Sequence, residues 1–154
     1  RTCGTRSDPV VATLIGSGLA REIYMWPVRV YYEDTDGGGV VYYANYLKFM
    51  ERARTEWLRS LGFEQRELAQ RDRVLFVVRS VAVEYLRPSL YDDSLRITVE
   101  PAKVGAGSIE LAQRVLRDHE VLVTANVRIA CVDAGSFRAT RMPEHLSTKI
   151  RMAL

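Results

Sequence analysis

Long apolar runs, paired cysteines and a charge excess of one sign are all scarce in this chain, and each scarcity removes a class of function. No apolar stretch approaches the ~20 residues of a bilayer-crossing helix, and even Val74 to Val78 is ended by Arg79, so stable membrane insertion is not expected. Only two cysteines occur, Cys3 and Cys131, far apart, which gives neither a disulfide framework nor zinc-ligand spacing; a reducing, cytoplasmic setting fits. His119 and His145 join no cluster. The formal charge of +3 comes from 22 basic and 19 acidic residues dispersed along the chain, too weak a bias to argue for nucleic acid. There is no Gly-x-Ser-x-Gly elbow to carry a nucleophilic serine.

What is present is enough apolar sequence for one core: 154 residues, 47% hydrophobic and 27% charged. Residues 1–22 read as a leader of artificial or weakly constrained origin, rich in Gly and Ser at Gly16-Ser17-Gly18, and 23–154 as a single domain. Trp26 to Tyr32 alternates aromatic and β-branched residues as a first strand does. From Tyr46 to Leu61 the apolar positions Tyr46, Leu47, Met50, Ala53, Trp57, Leu58 and Leu61 recur at helical spacing, with Lys48, Arg52, Arg54, Glu56 and Arg59 on the opposite side. Asn45 fits the N-cap of this helix and Gly62 its left-handed end. A polar connection, Glu64 to Arg73, leads to four strand-like stretches: Val74 to Leu86, Leu95 to Val104, Ser108 to Leu116 and Val121 to Val132. No later segment reads as a helix. The phase of alternation slips near Arg79-Ser80, predicting a bulge, and short turn-rich links predict antiparallel hairpins among the last three strands. One strand, one long helix and a four-strand meander imply an α+β fold in which an antiparallel sheet of about five strands wraps around a central helix.

The densest stretch runs from Tyr31 to Tyr46: Tyr-Tyr-Glu-Asp-Thr-Asp, three glycines (Gly37, Gly38, Gly39), then Val40-Val41-Tyr42-Tyr43-Ala44-Asn45-Tyr46. Asp36 sits where a glycine turn leads into the helix. Two aspartates at this spacing also suit a plain turn cap. The glycines permit positive φ and close backbone approach, but no Gly-Lys-Ser/Thr follows as in a phosphate-binding Walker loop. A calcium loop needs further regularly spaced oxygen ligands that Gly37 to Val41 does not supply, so no metal is expected.

This stretch, continuing through Leu47-Lys48-Phe49-Met50-Glu51-Arg52-Ala53-Arg54-Thr55-Glu56-Trp57-Leu58, resembles the signature of hotdog-fold acyl-CoA thioesterases of the 4-hydroxybenzoyl-CoA thioesterase/YbgC group. The resemblance implies a hotdog domain that hydrolyses an acyl-CoA to a carboxylic acid and coenzyme A without a cofactor. It further implies homodimers or homotetramers with active sites at subunit interfaces. Asp36 matches the nucleophile or general base. Gly38, Gly39, Val40 and Val41 match the segment whose amides position or polarise the substrate, with Asn45 at the helix start and Glu51 as a secondary carboxylate or a surface ion pair. Tyr43 stands where YbgC-like members usually carry His; its hydroxyl can donate to a thioester carbonyl, or its ring can simply pack beside Tyr42 and Tyr46. Arg87, Lys103 and Arg128 are unranked candidates for the coenzyme A phosphates. Two rival readings stand beside hydrolysis: a non-hydrolytic acyl-CoA or lipid-binding module, and an interaction protein associated with the Tol-Pal machinery.

Overall fold

In the computed structural model, which describes residues 12–14 and 21–154, one long helix packs against an antiparallel sheet. The strands are β1 (Ala12–Leu14), β2 (Arg21–Arg29), β3 (Val74–Tyr85), β4 (Ser94–Val104), β5 (Ser108–Arg117) and β6 (Glu120–Asp133). The helices are α1 (Asn45–Ser60), the short α2 (Gln65–Glu67) running into a π-helical turn at Leu68–Asp72, and α3 (Glu144–Met152). The sheet order is β1-β2-β4-β5-β6-β3, all neighbours antiparallel, so β3 is one edge of the sheet. Strands β2 to β6 are the expected five. Most of the leader lies outside the described residues, but Ala12–Leu14 pairs with the start of β2, adding a short sixth strand.

The α1 helix buries Tyr46, Phe49, Met50, Ala53, Trp57 and Leu58 against a core that includes Leu95, Ile97 and Val99 of β4, Ile109, Leu111 and Val115 of β5, and Val127 of β6. Each fully buried aliphatic or aromatic side chain contributes roughly 1.5–3 kcal/mol, so this one face supplies much of the drive to fold. The helix closes as Gly62 was expected to close it. Gly62 adopts φ 94, its N–H donates to the Arg59 carbonyl, and the Phe63 N–H donates to the Leu58 carbonyl, the paired bonds of a Schellman ending.

Five sequence expectations need correction. The four late strands do not form a meander in chain order, since β3 pairs with β6 at the far edge and β4 takes β2 as its other neighbour. The first strand ends at Arg29, and Tyr32–Asp34 instead forms a 3-10 turn. Asn45 caps no amide: α1 is preceded by Ala44 and has no side-chain cap bond. Arg54, assigned to the solvated side, lies on the buried face. A further helix exists after the sheet, α3, started by Pro143 and held by the buried pair Leu146 and Ile150, four residues apart. The bulge near Arg79 is present as a register shift between Val78 and Ser80 in the β3–β6 pairing.

Candidate active site

The glycine turn is a tight hairpin that orders Asp36 using only its own neighbours. Thr35 bridges Val41, the Asp36 N–H donates to the Val40 carbonyl (2.8 Å), and the Gly39 N–H donates back to the Asp36 carbonyl (3.1 Å). Gly39 takes φ 79, the left-handed position that closes a three-residue hairpin loop and that glycine occupies without strain. The Gly38 N–H donates to Asp36 Oδ1 at 2.7 Å, fixing one carboxylate oxygen; Oδ2 has no partner among the described residues, and the side chain is exposed. A side chain at 38 would crowd this arrangement, since a Cβ there would meet Asp36 Oδ1 at 3.1 Å.

Asp34 does something different. The 3-10 turn carries its carboxylate inward, where Oδ2 accepts from the Tyr31 N–H (2.8 Å) and Oδ1 from Asn45 Nδ2 (2.7 Å). Asn45 is thus the link between the turn and the start of α1. The Tyr42 N–H donates to the Asp34 carbonyl, and the Val41 N–H donates to the Ser89 carbonyl, which ties the hairpin to the connection between β3 and β4. Behind it, the Tyr46 and Ser89 hydroxyls share a buried bond of 2.6 Å.

Of the four amides proposed to meet the substrate, three are already engaged: Gly38 with the Asp36 side chain, Gly39 with the Asp36 carbonyl and Val41 with Ser89. Val40 retains its donor, as do Tyr43 and Ala44 just before α1, where a helix leaves its first amides unpaired. Tyr43 is 62% exposed; its ring meets Tyr42 and Tyr85 edge-on, and its carbonyl accepts from the Tyr85 hydroxyl at 3.0 Å. Its own hydroxyl has no protein partner. Tyr85 and Ser89 were not flagged by the sequence, because their roles depend on β3 returning to the helix start.

Glu51 is not part of this cluster. It lies further along α1, exposed, accepting from Thr55 Oγ1 at 3.2 Å and making no ion pair. With Met50 and Arg54 it faces Val78 and Val81 of β3 and Val127 of β6 across a cleft of about 420 Å³. Neither Asp36 nor Tyr43 lines this cleft within one chain. Arg54 at its inner side is only 9% exposed; its Nη1 donates to Gln113 Oε1 at 2.9 Å, and the Gln113 amide donates to the Met50 and Thr98 carbonyls. Burial pulls the Arg54 pKa below its ordinary value, with the nearby charge of Glu51 opposing that shift. A signal for Arg54 does exist in the sequence: it stands four residues after Met50 and four before Leu58, both core positions. Of the other basic candidates, Arg128 is bonded to Glu110 (2.6 Å) and Arg87 lies 3.6 Å from Glu120. Among the described residues no three His, Cys, Asp or Glu side chains gather as a metal cluster would, and no helix is long and apolar enough to cross a membrane.

Comparison with known proteins places this geometry. Residues 30–150 match the sequence profile of the Thioesterase-like superfamily. The chain is 44% identical over 123 residues to the acyl-CoA thioesterase YbgC of Haemophilus influenzae, covering 80% of this chain and 90% of that protein. It is 42% identical over 130 residues to the acyl-CoA thioester hydrolase YbgC of Escherichia coli O6:H1, covering 84% and 96%. Among solved structures, a probable thioesterase from Bartonella henselae superposes with a TM-score of 0.76 at 35% identity, over 79% of this chain and 99% of that one. With β2 to β6 around α1 and the Asp36 hairpin at the helix start, the chain belongs to the thioesterase-like superfamily, in the group of the YbgC acyl-CoA thioesterases.

Proposed function

We propose that this acyl-CoA thioesterase works through Asp36, delivering an oxygen to the acyl carbon and releasing the thiol of coenzyme A. The observation that carries this is the state of the carboxylate: one oxygen anchored by the Gly38 amide, the other free and exposed beside the start of α1. The oxygen delivered is either that of Asp36 itself, giving an anhydride that water opens, or that of a water Asp36 deprotonates. In both courses the thioester carbonyl gains negative charge, and the unengaged amides of Val40, Tyr43 and Ala44 are the backbone donors at hand. The Tyr43 hydroxyl is a further donor in the same neighbourhood.

Asp36→Asn retains the Gly38 bond but removes the charge, and is expected to lower kcat about 10²- to 10⁴-fold without changing fold or assembly. Thiol release from a panel of short, long and aromatic acyl-CoAs measures this; full activity in the variant removes Asp36 from the chemistry. A single turnover in ¹⁸O-water identifies direct attack when the first product lacks the label and Asp36 gains it, the result of water opening the anhydride at the Asp36 carbon; a labelled first product fits either the base course or opening at the acyl carbon.

The cleft between α1 and β3 is the acyl site in this reading, completed by a second copy. Two features support the second copy: β3 ends the sheet as an edge strand, and its exposed Val78 and Val81 line one cleft with Leu47 of α1. A homodimer formed along β3, alone or doubled into a tetramer, covers this surface and brings each Asp36 loop toward a cleft from which it is separated in one chain. A reducing, cytoplasmic location agrees with Cys131, a buried free thiol.

A further inference from the structure

Arg54 is the one charged side chain that α1 turns into the core, and the protein supplies it with only part of what it needs. A guanidinium carries five N–H donors. Gln113 takes one of them, a neutral partner, and among the described residues no carboxylate lies within ion-pair distance of Arg54. Burying a cation with a single neutral acceptor is costly, and natural sequences keep such a group where something else completes it. The remaining donors are not sealed off: no described side-chain nitrogen or oxygen that is fully shielded from solvent lacks a partner. The nitrogens without a partner therefore keep some solvent contact, and Arg54 lines two cavities beside α1, the cleft of about 420 Å³ toward β3 and a smaller one of about 80 Å³ toward Trp57, Phe76 and Ile129. Gln113 holds the fork in place, because its amide is itself fixed to carbonyls of α1 and β4. Glu51, which shares both cavities, offsets the cation's charge from nearby but makes no direct bond to it: it is exposed and bonded to Thr55.

We infer that Arg54 is the specificity-determining end of the acyl cleft, receiving a carboxylate at the far end of the acyl group, so that the preferred substrates are coenzyme A monothioesters of dicarboxylic acids. The planar fork matches a carboxylate in two parallel bonds, and the walls provided by Met50, Val78, Val81 and Val127 accommodate the methylenes between that carboxylate and the thioester. This inference rests on the thioesterase reading above and on its placement of the acyl group.

The test compares succinyl-CoA with 4-methylpentanoyl-CoA and glutaryl-CoA with 5-methylhexanoyl-CoA, pairs in which an isopropyl group replaces the distal carboxylate. In the wild-type protein kcat/KM for the better diacid should exceed that of its partner about 10-fold or more, the worth of one charge-assisted contact. In Arg54→Met, of similar length and able to fill the site without a charge, that ratio should collapse to about one or below. Arg54→Lys keeps the cation but not the fork and should fall between the two; if the Met variant does not fold, a Lys variant with an undiminished ratio overturns the inference. So does a wild-type protein with no diacid preference, or a Met variant that keeps it. Loss of assembly in Arg54→Met, seen by sedimentation, also overturns it, since the guanidinium would then be paired across copies. If no acyl-CoA is hydrolysed, the thioesterase reading fails separately, and calorimetric affinities of the same pairs for wild type and Arg54→Met decide the Arg54 inference on binding alone.

Discussion

Asp34 and Asp36 share a side chain and stand two positions apart, yet the 3-10 turn at Tyr32–Asp34 turns one carboxylate inward and leaves the other at the surface. Removing each should therefore give opposite phenotypes. Asp34→Ala strands the Tyr31 amide and the buried Asn45 side chain, and should cost about 1–3 kcal/mol in urea unfolding, with activity falling as the helix start loosens. Asp36→Asn should leave the urea midpoint unchanged while lowering kcat about 10²- to 10⁴-fold. The sequence singled out Asp36 through the sixteen-residue resemblance; the residues alone also suited a plain turn cap. The Asp34–Asn45 bond was not legible in the same way, since it spans eleven positions and exists only once the turn has formed. Arg54 escaped for a different reason: residue type suggested solvent, while spacing from Met50 and Leu58 pointed inward, and spacing was right.

Among the elements, α1 was readable to within a residue, because its apolar period and the left-handed Gly62 are both local signals. The β3 bulge was readable for the same reason. The α3 helix was missed: its buried contribution rests on Leu146 and Ile150 in a nine-residue segment, too little periodicity to stand out without the sheet it packs on. A measurable consequence sits where β2 meets α1. Burial, and secondarily the charge of Glu56, push the Tyr24 hydroxyl up to about 12. An unfolded tyrosine titrates near ~10. Between those values the native state holds a proton that the unfolded state has lost, so stability falls as pH rises through the window. The urea midpoint of the wild type should drop from pH 10 to 11.5 more steeply than that of Tyr24→Phe, and equal slopes would remove Tyr24 as the cause. Comparison with the variant is needed because the Cys131 thiol, also raised by burial, adds its own alkaline slope.

At the scale of the whole molecule, the β4-β5-β6 run was foreseeable from hairpin-length links, whereas the placement of β3, the expected first strand of the meander, beside β6 instead of β4 was not, because that pairing joins distant positions. Nor was the site foreseeable as a whole, because the cleft and the Asp36 hairpin lie apart within one chain. Val81→Lys places a charge on the exposed face of the edge strand and should halve the sedimenting mass while leaving the far-ultraviolet circular dichroism intact. Activity should fall with the assembly; a fully active monomer would show that one chain suffices. The Asp36 hairpin has a wider consequence. Every hydrogen bond that aims its carboxylate comes from residues 38 to 40, and none from the walls of the cleft. In the proposed reading, substitutions at Arg54 or apolar exchanges at Val78 can thus reshape what is admitted while the Asp36 carboxylate keeps its place. A lineage, or an engineer, can change the diet of this protein without relearning its bite.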